Sequence, residues 1–466
     1  MRNALLFPMF ASMFALPVAV FGCSSTPSAP LTGPDAATFP VHDGGIPEEA
    51  ATLPVTCPAP TLGPTMHGSN IAADETWDAD KSPHIIMYDT TVGAKVTLQP
   101  CAEVRIAPKV TVTVNLKGSI VGEGTASTPI LITALDAAKP WVSLRAIGGS
   151  VRLAHATVEG GGDPLNTDKT YTGMLYGQPG SDPAAAKDAF ALKNVVVKGS
   201  KSNGIHLQAA RFSDDSGDVT VTGSAAFPVS IYPRVVGTLP SGVYTGNTND
   251  EILLPGHGLA EDIISDTTMH ERGVPYHVGD LNSSGQLRVG TSSGMPVATL
   301  TIEPGVTVRF IKKGVFQIEK FGGTMPASGA LIAQGTEAKP ITFTSAEASP
   351  APGDWLGLTF GAQSDARNVL DHVTIAYAGL AGSGGSGSCS GSGVVKHALV
   401  ISGGQPTKSF FTNSKIIHAT NGIDRGWQGA QIDFAATNRF DDVSGCKMTN
   451  PQAAGTGCTN VAPCAL

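Results

Sequence analysis

Asp371 and His372, adjacent in the segment LDHVTI, are the residues whose types best suit proton transfer, because a carboxylate beside an imidazole orients it and favours its charged form. The segment has a second version, LAHATV, in which Ala154 and His155 take the same places, so only the histidine recurs. That recurrence favours a structural role, a histidine at a solvent-facing strand position stacked on its neighbours. Asp214, Asp215 and Asp218 lie in SDDSGDVT, which has the Asp/Gly spacing of a Ca²⁺ loop but lacks the later bidentate Glu of an EF-hand. Asp74, Glu75, Asp78 and Asp80 form a second acidic group. For both groups the ordinary reading is solvated turn residues, and Ca²⁺ is the sharper alternative. Asp354, just before Trp355, reads as a turn cap.

Other chemistries are excluded by motif. The chain has no P-loop, His-Glu-x-x-His or dinucleotide fingerprint leading from a strand into a helix. The run GSGGSGSCSGSG from Gly382 reads as a flexible loop, since no strand leads from it into a helix. A net charge of −8 leaves no basic footprint for nucleic acid.

The N-terminus reads as an export signal over residues 1–22: Arg2 supplies the positive charge, and Ala4 to Phe21 is almost wholly apolar. Val20-Phe21-Gly22-Cys23 resembles the bacterial lipobox, which makes Cys23 the lipidated residue, although Phe21 sits where a small residue is usual. An ordinary secretory signal with an incidental Cys is the alternative. Residues 23–54 are rich in Pro, Ser, Ala and Thr without apolar periodicity and read as a disordered tether. Setting Cys23 aside leaves Cys57, Cys101, Cys389, Cys446, Cys458 and Cys464, an even number in an exported chain and hence disulfide candidates. Cys57 with Cys101 would fasten the start of the body. The other four would make two bridges near its end, in a connectivity the sequence leaves open. There is no Cys-x-x-Cys pair to suggest structural zinc.

Positioning any of these groups is the work of many short strands. Charged residues are only 15% of the chain and aromatics 6%, while Gly (56) and Pro (33) are abundant. Self-comparison then finds a duplication. VTLQPCAEVRI near Leu98 aligns with ATLTIEPGVTVRF near Ile302, GSIVGEGTASTPILIT with GALIAQGTEAKPITFT, Trp141 with Trp355, and Asn203-Gly-Ile with Asn421-Gly-Ile. Modules are placed at 55–246 and 247–466. Within them, apolar residues alternate, as in Val306/Val308/Phe310 and Leu356/Leu358/Phe360, and turn residues separate the runs. Such strands can stack coil on coil and bury one continuous apolar column. Pro304-Gly305 suits a tight turn, Pro129 and Pro340 mark corners, and Trp141 and Trp355 read as core, with an exposed sugar platform as the alternative.

The segments TLTIEPGVTVRF, GALIAQGTEAKPITFTS, GDWLGLTF and LDHVTIAYAG resemble those of bacterial right-handed parallel β-helix lipoproteins of the pectin-lyase-like superfamily. The resemblance covers nearly all of 60–440 and implies an all-β solenoid of three-sheet coils. It also brings an enzyme into consideration. Lyases of this fold hold Ca²⁺ with acidic residues on adjacent coils and remove a proton with Arg or Lys; hydrolases need two or three facing carboxylates. Asp371-His372 is similar to an Asp-His pair in pectate lyases, without the wider lyase motif. The expectation is therefore a non-enzymatic, lipid-anchored envelope scaffold, at the outer membrane or cell surface, that binds polysaccharide or envelope proteins, with no cofactor unless Ca²⁺. A polysaccharide lyase or hydrolase is the alternative.

Overall fold

A computed structural model describes residues 54–164, 172–180, 188–256, 262–280, 285–291, 295–318, 329–361, 364–383, 394–453 and 463–466. Cys23, the 23–53 part of the tether, Cys389 and Cys458 lie outside the described residues. The described body is a parallel β-helix, with strands of successive coils paired in parallel into sheets of 14, 12, five and five strands. The helical content among the described residues is one 3-10 segment, Pro233–Thr238.

Alternation decides which side chains enter the column. In Thr111–Val114 the valines are buried and the threonines half-exposed, and in Thr307–Phe310 Val308 and Phe310 are buried. Each such side chain contributes roughly 1.5–3 kcal/mol of burial. Trp141 and Trp355 are buried and not sugar platforms. Their indole N–H groups donate to Glu159 O at 3.0 Å and Ala376 O at 2.8 Å, aligned positions of the two sequence copies. The corner turns are equally repeated. Gly305 takes φ +96° after Pro304, and Cys101, after Pro100, takes φ +66°, as a turn with proline second and a left-handed third residue requires. Cys101 is also bonded to Cys57, and Cys446 to Cys464.

The two sequence copies do not occupy the same sides of the solenoid. Ser143–Ile147, after Trp141, belongs to the 14-stranded sheet, whereas Gly357–Phe360, after Trp355, belongs to a five-stranded one. Conversely, Ile130–Ala134 lies in the 12-stranded sheet, but its counterpart Ile341–Ser345 lies in the 14-stranded sheet. The same exchange holds for Glu103–Ile106 against Thr307–Phe310 and for Asn203–Leu207 against Asn421–Trp427. Strand Ile252–Leu254 makes the change, pairing with Val229–Ile231 on one side and Tyr276–Val278 on the other. The second copy is thus turned by one side of the coil relative to the first.

Both ends of the apolar column carry polar groups. At the first coils His67 bonds Glu75 Oε2 (3.1 Å) and His84 Nδ1 (2.9 Å), and stacks on Trp77 at 4.0 Å. In the last coils Arg425 is paired with Ile401, a core residue one coil earlier, and is itself buried. Its guanidinium donates to Thr449 O (2.5 Å) and Ile432 O (2.8 Å).

Candidate functional site

The two histidines singled out by sequence are at bends, which corrects the expected strand-stacking position. Strand Ser150–Glu159 pairs through Ser150–Ala154 with one strand of the preceding coil and through Ala156–Val158 with another. His155, between them, takes φ +46°. His372 does the same at φ +51° between Val369–Asp371 and Val373–Ala376. Asn194 and Asn413 continue the columns at φ +52° and +48°. Histidine and asparagine tolerate this left-handed conformation better than most residues.

Asp371 is fully engaged. It accepts from Thr412 Oγ1 and Asn413 Nδ2, both at 2.8 Å, and lies 2.8 Å from His372 Nδ1. Partial burial works against ionisation, but the bonds from Thr412, His372 and Asn413 outweigh it and hold the carboxyl below its usual range. A carboxylate held ionised by the next coil is a poor proton donor. Its counterpart region around His155 is a groove of about 320 Å³ lined by Glu123, Arg152 and Lys193.

The acidic candidates are drawn to separate partners. Asp215 pairs with Arg152 Nη1 at 2.5 Å, Asp214 lies 3.9 Å from Arg211, and Asp218 sits at a bend with φ +55°. Asp74 accepts from the Lys95 N–H, Asp78 from Lys81, and Glu75 from the Trp77 indole. Among the described residues no three His, Cys, Asp or Glu side chains converge where a metal ion would sit. Asp354 is a turn cap, accepting from Ser345 Oγ (2.8 Å) and Ala351 N (2.9 Å).

Two outer grooves were not visible in the sequence. One, of about 430 Å³, runs past Thr133, Glu159, Lys198 and Thr222, which follow one another across successive coils. Its floor is bare backbone at Gly160, Gly199, Gly223 and Gly246, all with φ between +67° and +85°. Glu159 is bound by Lys198 Nζ at 2.9 Å and Thr133 Oγ1 at 3.1 Å, so its charge is met within the groove. In the second copy Ala376 stands in its place. The other groove, of about 550 Å³, is lined by Asn115, Leu116, Lys117, Ile147, Gln178 and Gly180. Beside it Arg145, Tyr176 and His206 stack on consecutive coils. The spacing of these residues varies with the loops between coils, so no periodic signal marks them.

Outward strand positions also decide whether carboxylates face one another. In the strand pairs described, each Asp or Glu lies opposite an uncharged or basic residue: Glu159 opposite Lys198, Asp188 opposite Arg211, Asp371 opposite Thr412.

A family model for a pectate-lyase like beta helix domain matches residues 285–409. The match contains Asp371, His372 and Trp355, and agrees with the parallel coils found there. No curated protein and no solved structure matches the chain.

Proposed function

We propose that this chain is a cell-envelope lipoprotein, anchored through Cys23 and held off the membrane by residues 24–54. In this reading its β-helix is a non-enzymatic scaffold that binds a glycan or an envelope protein. The observation that carries the reading is the state of Asp371. The best catalytic candidate in the sequence spends its oxygens on Thr412, Asn413 and His372, an arrangement that ties coil to coil and suits structure better than turnover. Glu159, the carboxylate in the 430 Å³ groove, is likewise occupied by Lys198 and Thr133.

A polysaccharide lyase or hydrolase is the second reading, favoured by the pectate-lyase like match over 285–409. A reducing-end assay on the purified chain, with and without Ca²⁺, against acidic and neutral polysaccharides separates the two. Retention of a polysaccharide without new ends is the expected result. Steady release of ends that is lost on Asp371→Asn or Glu159→Gln would establish the enzyme. The anchor is tested separately: mass spectrometry of the membrane-extracted chain should find an acylated N-terminal Cys23, and an unmodified or uncleaved N-terminus would remove the lipoprotein assignment.

A further inference from the structure

The groove beside Tyr176 combines donors held in fixed directions with an apolar wall. Asn115, Ile147, Gln178 and Gln208 follow one another across four coils, as the pairs Val114↔Ala146, Ile147↔Gln178 and Gly177↔Leu207 fix. Neighbouring coils are about 4.8 Å apart, a step comparable to one sugar ring along an extended chain. The Tyr176 hydroxyl donates to Gln208 Oε1 at 2.7 Å, and Gln178 Oε1 lies 3.4 Å from the same oxygen. The single phenol proton goes to Gln208, whose N–H₂ then keeps both of its donors for other partners.

Tyr176 is itself clamped. The Arg145 guanidinium lies 5.1 Å from its ring centroid on one side, and His206 stacks at 5.4 Å on the other. Burial raises the phenol above its usual range against the pull of Arg145, so it remains a donor. Leu116, half exposed, lines the groove, and Ile147 lies next to Gln178 one coil earlier and adds a second apolar side chain. Gly148, at φ +69°, leaves room for Leu116, whose Cδ2 would lie 2.5 Å from a β-carbon there.

We infer that this groove binds a neutral, hydroxyl-rich oligosaccharide laid along the solenoid axis, which rests on the scaffold reading and names its ligand. The ring C–H faces would lie on Leu116 and Ile147, and hydroxyl oxygens would accept from the glutamine amides. Lys117 also lines this groove, but the side chains bonded to Tyr176 are the uncharged carboxamides of Gln178 and Gln208, whereas the other groove carries the Glu159–Lys198 ion pair. A peptide strand is a poorer fit, because the strands beneath already pair with their neighbouring coils and offer no free edge.

Isothermal titration of the purified chain with chitohexaose, laminarihexaose and cellohexaose tests this, with hexagalacturonate as the acidic control. At least one neutral hexasaccharide should bind. Gln178→Glu and Ile147→Asp should each weaken it about tenfold or more, the scale of one lost hydrogen bond or apolar contact. Lys415→Ala on a distant coil should not, and unchanged thermal midpoints would show that the variants fold. Absence of neutral binding, binding of hexagalacturonate alone, or binding indifferent to both groove variants would overturn the site. New reducing ends from a bound hexasaccharide would instead overturn the non-enzymatic reading, so the two failures are distinguishable.

Discussion

Trp355 lies flat on Phe310, with ring centroids 4.4 Å apart and planes only 4° from parallel. Its indole also closes a hydrogen bond to Ala376 O across coils. Packing and hydrogen bonding therefore converge on one buried side chain. Trp355→Ala should cost about 3–5 kcal/mol. Trp355→Phe, which keeps most of the stacking and loses the bond, should cost about 1–3 kcal/mol. Denaturant midpoints of the two variants would check the order.

At the His372 bend the backbone conformation matters more than the imidazole. His372→Gly should be tolerated within a few tenths of a kcal/mol, whereas His372→Val should cost about 1–2 kcal/mol because a β-branched residue resists a positive φ. Equal losses from the two substitutions would mean that the ring, and not the bend, is what the position requires.

Protonation should loosen the first copy. Burial lowers the pKa of His206 from 6.5 to about 4, and burial is also the main cause of lowered values at His67 and His84. Because the unfolded chain takes up these protons first, the stability they allow is present above about 6.5 and falls as the pH drops toward 4. Below the folded-state value, His206 adds no further loss. Thermal midpoints between pH 7 and 4 should decline accordingly, and His206→Gln should shallow the slope.

Glu251 joins the coils where the second copy turns. Its carboxylate receives His277 Nδ1 at 2.6 Å and pairs with Arg309 one coil further. Burial opposes its ionisation, but His277 and Arg309 prevail and keep its pKa low. Glu251→Gln should cost about 2 kcal/mol, somewhat less than a fully buried pair because Arg309 is partly exposed. Hydrogen exchange should quicken first in Ile252–Leu254 and Tyr276–Val278.

The alternation of Val306, Val308 and Phe310 made the strands and their inward faces legible, and the buried tryptophans were readable from their recurrence. Both depend on neighbours in sequence or on repetition. The bend at His155 was missed because a histidine inside an apolar run looks like any outward strand residue; its φ is imposed by two different pairing partners on the preceding coil. The amide groove was invisible for another reason. Ile147, Gln178 and Gln208 meet only after loops of unequal length have been folded out of the way. The change of side at Ile252–Leu254 left no mark either, since each copy keeps its own internal order.

Arg425 bears on a hazard that stacked coils share with fibrils. An apolar column open at its end would accept the first coil of another molecule, and chains would add head to tail into a filament. At the inward position where the preceding coil has Ile401, this chain has a guanidinium already bonded to Thr449 and Ile432. The 448–452 segment already lies on this coil through Ile423↔Met448 and Gln428↔Gln452, so the guanidinium breaks the apolar column inside the molecule. The coil beyond it therefore does not continue an unbroken row of apolar side chains that another molecule's first coil could extend.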